Sequence, residues 1–399
     1  MKVFQINLCD KGSTGKIALD LLECKNNFDN DKLFVGQKFT NKKYVVQIQS
    51  KIGKLIHRFF YGILSLDFGS YKSTKSLIRY IKKEKPDIIH LHNLHGYYIN
   101  IKILFNYLRK ADIKVIWTLH DCWPFTGHCA HFDYIQCTKW QKECNNCKNL
   151  KQYPKSIFFD NSKKMFKEKK KLYANMPNLY LVTPSFWLKS VVKKSFFNKF
   201  SVEVINNGIN LSNFHFTENK HFQDLTKDGK KVLLGVATPF SVKKGFYDFI
   251  KLSELLPDEY KIVLVGLNKR QIHDLPINII GFEQTNSQGE LAELYSLAYV
   301  FINFTYEDNF PTVNIEASAC GVPIICYKTG GATEMLMDKN SIILEKGDYQ
   351  GVISQLSRIE KLKQNKMEYI SFINKKFSRE KMYDQYYNLY KKILTKGKD

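Results

Sequence analysis

Asp308 and Glu316 stand eight residues apart, with Asn309, Phe310 and Pro311 reading as a loop and a helix opening near Thr312 and Val313. Two acceptor-only carboxylates around a helix start suit a ligand that has many hydroxyls and one anionic group. The carboxylates take hydroxyl protons, and the exposed N–H groups of the first turn hold the anion. A nucleotide sugar has both features. The plain alternative is a pair of solvated acids, since Asp and Glu are common near helix starts. A second group of candidates is Lys243-Lys244-Gly245, in a loop ahead of a helix expected over 246–256. A lysine there is placed to neutralise a departing diphosphate, against the alternative of an ordinary surface lysine. Histidines end two successive apolar runs, at His92 and His120, where open α/β sheets put their ligands.

These side chains need strands and helices to carry them. Runs of strand length occur at 2–8, 87–92, 114–119, 180–183 and 202–205, and again at 231–236, 262–266, 277–282, 300–304 and 322–326. Helical stretches at 16–23, 246–256, 290–296 and 379–394 alternate with them, which is the pattern of doubly wound parallel sheets. Gly12 and Gly15 follow the first strand, as in the glycine turn of a Rossmann-like unit, and would let a phosphate or sugar approach the backbone. Ile17 after Gly15-Lys16 excludes a P-loop. Asp29-Asn30-Asp31 has a metal-binding spacing but follows a helix, so it reads as a turn. The polar stretch 217–231 reads as a linker or domain edge.

With 399 residues, 44% of them hydrophobic, the chain has room for two cores and is not disordered. No apolar run reaches membrane-spanning length, and the expected location is cytoplasmic. Charge is uneven. Residues 1–200 hold 36 Lys and Arg against 14 Asp and Glu, a net +22. An anionic membrane surface or a nucleic acid would answer such a field. Ile52, Leu55, Ile56, Phe59, Phe60, Ile63 and Leu64 recur at helical spacing among Lys51, Lys54, His57 and Arg58. The plainer reading is a helix facing the core, and the sharper one a basic amphipathic helix on a membrane. Phe186, Trp187, Val191, Val192 and Phe196 offer the same choice.

Five of nine cysteines fall between 122 and 147. Cys129, Cys137, Cys144 and Cys147, ending in a C-x2-C pair, suggest a structural zinc site, with free thiols, a redox pair, or His128 or His131 in place of one cysteine as competitors.

The stretch 308–334, with Asp308, Glu316, Cys320-Gly321-Val322-Pro323, Gly330-Gly331 and Glu334, resembles the E-x7-E region of the family 4 glycosyltransferases. His120-Asp121-Cys122-Trp123, the cysteine pattern after it, and Lys244-Gly245 extend the resemblance over nearly the whole chain. Asp308 stands where the family has Glu, and the family's Arg ahead of the Lys-Gly pair is replaced by 237–239, so Lys243 is the substitute. The resemblance implies an α/β protein of GT-B fold, two Rossmann-like domains facing each other across a cleft. An acceptor domain would span 1–207 (Cys-rich insertion 122–150), a donor domain 208–378, and a crossing helix 379–399. It implies a retaining, hexosyltransferase-type enzyme in which a nucleoside-diphosphate sugar is the donor. The acceptor is a glycan or lipid-linked glycan of surface polysaccharide, at the inner face of the membrane. Asp308 and the 309–311 backbone would hold the sugar and Glu316 the ribose. Lys244, Lys243, Thr312 and Val313 would meet the diphosphate, the strand at Gly281 the base, and His120 the reaction centre. The family retains configuration with the leaving phosphate taking the acceptor proton, and no divalent metal is expected in the chemistry. An epimerase or phosphorylase of the same fold is the near alternative. Nucleic-acid binding is the distant one, and no nucleic-acid partner is expected.

Overall fold

The computed structural model describes residues 1–24 and 30–395, which form two compact units, Met1–Asn206 with Met382 onward, and Asn207–Lys381. Asp29 of the 29–31 turn lies outside the described residues. Asp31 is buried and accepts the Val3 N–H at 2.8 Å.

The first unit has strands β1 (Val3–Cys9), β2 (Lys32–Gln37), β3 (Val45–Gln47), β4 (Ile88–Leu91), β5 (Lys114–Thr118), β6 (Leu179–Thr183) and β7 (Val202–Val204). They pair in parallel, in the order β3-β2-β1-β4-β5-β6-β7. Its helices are α1 (Gly12–Glu23), α2 (Lys51–Leu64), α3 (Tyr71–Glu84), α4 (Ile101–Leu108), α5 (Ser162–Tyr173) and α6 (Phe186–Lys193). β4 and β5 are buried on both faces apart from Lys114, which is why they read as unbroken apolar runs.

The second unit has β8 (Lys231–Val236), β9 (Tyr260–Val265), β10 (Ile279–Phe282), β11 (Val300–Asn303), β12 (Ile324–Tyr327) and β13 (Ser341–Leu344). The order is β10-β9-β8-β11-β12-β13, again parallel. Its helices are α7 (Phe246–Leu255), α8 (Lys269–His273), α9 (Gln288–Leu297), α10 (Thr312–Ala319), α11 (Gln350–Gln355), α12 (Ile359–Lys363) and α13 (Lys366–Lys376). In each sheet the order reverses once, at β1/β4 and at β8/β11, and the carboxyl ends of such strands are where this architecture binds ligands. The stretch 217–231 belongs to the second unit, where Glu293 accepts the N–H groups of Lys220 and His221, each at 2.9 Å.

α14 (Arg379–Thr395) belongs to the first unit from Met382 onward. Met382, Tyr386 and Ile393 pack on Val3, Ile17 and Ile116. The Tyr386 hydroxyl bonds Thr118 Oγ1 at 2.8 Å, and the Tyr390 hydroxyl bonds His90 Nδ1 at 2.7 Å.

One expectation is overturned. α2 does not turn its apolar residues inward: Ile52, Leu55, Ile56, Phe59 and Phe60 are exposed, and the buried side chains are His57 and Tyr61. Its inner face is held by polar contacts instead, and a helical period cannot say which face a fold will cover. α6 does face the core through Leu188, Val191 and Val192, leaving Phe186 exposed.

Because Tyr386 joins ring burial to a hydroxyl contact, Tyr386→Ala should cost about 3–5 kcal/mol and Tyr386→Phe only ~1 kcal/mol. Denaturant unfolding of the two variants measures this, and equal losses would show that the hydroxyl, not the ring, secures the helix.

Candidate active site

At the reversal point of the second sheet, the segments leaving β8 and β11 meet. β8 runs through Ala237 into a single turn, Val242–Lys244, closed by Gly245. Gly245 has φ +74°, and a Cβ there would lie 2.3 Å from Cβ of Phe304. Only glycine lets the turn lie against the end of β11. The Tyr306 N–H donates to the Lys243 carbonyl at 2.8 Å, which fixes the two segments side by side. Side chains then pair in register. Lys243 Nζ bonds Glu307 Oε1, and Lys244 Nζ donates to Asp308 Oδ2 at 2.6 Å. Glu307 is buried, whereas Lys244 and Asp308 keep 34% and 22% of their side-chain surface exposed, enough for a ligand to reach them.

Asp308 Oδ1 accepts the Phe310 N–H at 3.1 Å, turning the chain toward α10. Gly330 packs on the same turn, since a Cβ there would lie 1.8 Å from the Asp308 carbonyl oxygen. Pro311 precedes the helix in an extended conformation, so Thr312 and Val313 begin it with their N–H groups at the turn. Asn314 ties α10 down by accepting from Asn303 Nδ2 at 2.8 Å and donating to the Ala332 carbonyl at 3.0 Å. Glu316 is buried one turn further and accepts the Tyr295 hydroxyl at 3.3 Å. Burial, then the adjacent Glu316 charge, pushes the Tyr295 hydroxyl well above its usual range, so it stays a donor.

In the first unit the histidines form a relay. Gln5 donates through Nε2 to the Ala18 carbonyl at 3.1 Å, which leaves its Oε1 to accept from His92 Nε2 at 2.8 Å. His92 Nδ1 must then accept from His120 Nε2 at 3.0 Å, so the lone pair of His120 is on Nδ1. Burial lowers His90 to about 3 and His120 to about 4, and holds His92 well below the ordinary 6.5. All three rings are neutral at pH 7. Beside them His95 Nε2 bonds Asp121 Oδ2 at 2.7 Å and His95 Nδ1 bonds the Tyr153 hydroxyl at 2.8 Å.

Cys129, Cys137, Cys144 and Cys147 line one pocket of about 190 Å³. Cys129 and Cys147 bring their sulfurs to 3.6 Å, and the Gly127 N–H donates to Cys144 Sγ at 3.3 Å. All four are free thiols, and among the described residues no three His, Cys, Asp or Glu side chains are arranged to hold a metal ion.

Two family models match the sequence. One described as Glycosyltransferase Family 4 covers residues 40–213, and one described as Glycosyl transferases group 1 covers 217–377, so that together they take in most of the chain. The chain belongs to the family 4 glycosyltransferases. The glycosyl transferase WcaC of Escherichia coli (strain K12), named for colanic acid biosynthesis, is 24% identical over 320 residues, covering 77% of each chain. The sucrose-phosphate synthase of Thermosynechococcus elongatus superposes with a TM-score of 0.71 at 14% identity, covering 99% of both chains. HepE of Anabaena, solved with UDP-glucose, superposes at 0.69 with 13% identity, covering 98% of this chain and 100% of its own. The fold is GT-B. As a family 4 glycosyltransferase, the protein transfers sugar from a nucleotide sugar with retention of configuration.

Among the residues singled out from sequence, the structure joins Lys243 and Lys244 to the 307–308 acids, and Asp308 leads through 309–311 into the start of α10. Gly12 opens α1, and the space beside Gly15 is filled by the Asp10 backbone, with a Cβ 2.7 Å from its carbonyl carbon. Gly281 faces Leu275 and Leu267 of its own unit. Glu307, Tyr295, Gln5 and Tyr153 went unread, because a lone acid, amide or phenol has no sequence signal until its partner is near. Glu307 could have been found as the acid beside Asp308 that matches a doubled lysine.

The buried histidines set a pH dependence. Between about 4 and 6.5 the unfolded chain binds protons that folded His90, His92 and His120 refuse, so stability is full above 6.5 and falls as pH drops through that window. Thermal unfolding followed from pH 7.5 to 4.5 should show a falling Tm, with a shallower slope in His90→Gln. An unchanged slope would mean these rings do not remain neutral.

Proposed function

We propose that this glycosyltransferase elongates a surface polysaccharide, passing a sugar from a nucleoside-diphosphate sugar to a hydroxyl of a glycan or lipid-linked glycan at the cytoplasmic face of the membrane. The biosynthetic role of the relative WcaC and the net +22 of residues 1–200 support that setting. The observation that carries the site assignment is the Lys244–Asp308 contact at 2.6 Å, beside the start of α10.

Lys244 and Asp308 form an ion pair at 2.6 Å. In this reading an arriving diphosphate takes the lysine, with the N–H groups of Thr312 and Val313 sharing its charge, and Asp308 is released to accept sugar hydroxyls. Lys243, tied to buried Glu307, holds the turn. Glu316 takes the ribose hydroxyls. As the bond to the diphosphate lengthens, negative charge grows on the leaving phosphate, and a fixed ammonium stabilises that charge more than the ground state. The leaving phosphate accepts the proton of the attacking hydroxyl. His120, neutral, lines the reaction centre in this reading without adding charge.

We also infer that the four-cysteine pocket takes a structural zinc. Tetrahedral thiolates around zinc lie about 3.8 Å apart, close to the 3.6 Å between Cys129 and Cys147. Metal analysis of purified protein should find about one equivalent, removable by chelator; no metal in protein purified without chelator overturns this.

A panel of nucleotide sugars tested by thermal shift should contain one that raises Tm. Lys244→Ala should lower kcat/KM for that donor ~10²–10³-fold, and Lys244→Arg less. Asp308→Asn should lower it too, by loss of the sugar contact. Unchanged kcat/KM in Lys244→Ala would remove the site from this part of the protein.

A further inference from the structure

α2 is built inside out. Gly53, His57 and Tyr61, each one helical turn apart, form its inner line. His57 Nε2 meets Asp67 Oδ1 at 2.9 Å, His57 Nδ1 bonds Ser70 Oγ at 2.8 Å, and the Tyr61 hydroxyl bonds His128 Nδ1 at 3.2 Å. These contacts fix the helix while its apolar face stays in water, with Ile52 at 73% exposure and Phe59 at 62%. A second segment joins it. The Ile157 N–H donates to the Gly62 carbonyl at 2.7 Å and Asn161 Nδ2 to the Leu64 carbonyl at 2.6 Å. The loop 153–159 therefore brings exposed Ile157, Phe158 and Phe159 to the carboxyl end of α2. A contiguous surface of this kind marks an interaction site.

Charge identifies the occupant. Residues 51–64 and 144–159 contain no Asp or Glu, and Lys51, Arg58, Lys151 and Lys155 are exposed among the apolar side chains. Lysine is depleted in protein–protein interfaces, and a second copy with the same basic face would repel this one. Apolar side chains ringed by cations match an anionic bilayer, whose headgroups meet the cations while its acyl boundary takes the rings. No helix among the described residues is long and apolar enough to cross a membrane, so attachment here is from one side.

We propose that α2 and the 153–159 loop seat the first unit on an anionic lipid surface, with α2 lying in the headgroup plane. This deepens the reading of a membrane-borne acceptor, on which it rests, by naming the element that meets the lipid.

Flotation with phosphatidylcholine vesicles, with and without phosphatidylglycerol, tests it. Wild type should float with the phosphatidylglycerol vesicles and detach in high salt. Leu55→Ser with Phe59→Ser should lower vesicle affinity at least about tenfold, as should Phe158→Ser with Phe159→Ser. Since these side chains are exposed, Tm and the donor-induced Tm shift should remain as in wild type. Variants that float like wild type, or a wild type that does not float, overturn the proposal. So does a wild-type dimer in sedimentation that the same substitutions dissolve, which would make a second copy the occupant. Vesicle binding lost in wild type with the donor shift kept defeats the docking surface alone. A donor shift absent in wild type with flotation kept defeats the donor-site reading alone.

Discussion

An ammonium and a carboxylate 2.6 Å apart are the constraint on which the candidate site of the second unit depends. In the function proposed above, a nucleotide sugar would engage both groups. Holding them in register takes a backbone bond from Tyr306 to Lys243, a glycine with φ +74° at 245, and a neighbouring pair, Lys243 with Glu307. The parallel sheet does the rest. By reversing its strand order between β8 and β11 it brings two loops, more than sixty positions apart in sequence, to one edge.

In the first unit the same architecture is used for a different purpose. Burial and a one-way hydrogen-bond relay from Gln5 to His120 keep the imidazoles uncharged and fix which nitrogen accepts. α14 adds its tyrosines to that set, bonding Thr118 and His90 behind the strand ends. The unit's surface is strongly cationic, its histidine interior neutral, and its α2 face apolar. A positive field acts at a distance, and apolar burial acts only on contact.

Much of the scaffold was legible because a buried parallel strand has to be apolar along its whole length. The runs at 231–236, 300–304 and 322–326 became β8, β11 and β12 within two residues at each end. The helix near Thr312 was legible because a proline and a polar loop precede it. β2, β3, β13 and the helices between 350 and 376 carry weaker patterns and emerged only in the folded chain. α1 begins at Gly12, four residues before its apolar period suggests, because a helix start needs no side chain of its own.

The sequence by itself determined the kind of protein: two α/β units, an acid–helix–acid stretch, a Lys-Gly turn and a cysteine insertion, all local patterns read along the chain. Only the tertiary structure decided which groups act together. Lys244 with Asp308, Gln5 with His92, Tyr295 with Glu316 and the outward face of α2 are relations across space. Hydrogen bonds and ion pairs depend on distance, and distance between remote residues is set by the sheet order, which no short stretch of sequence encodes.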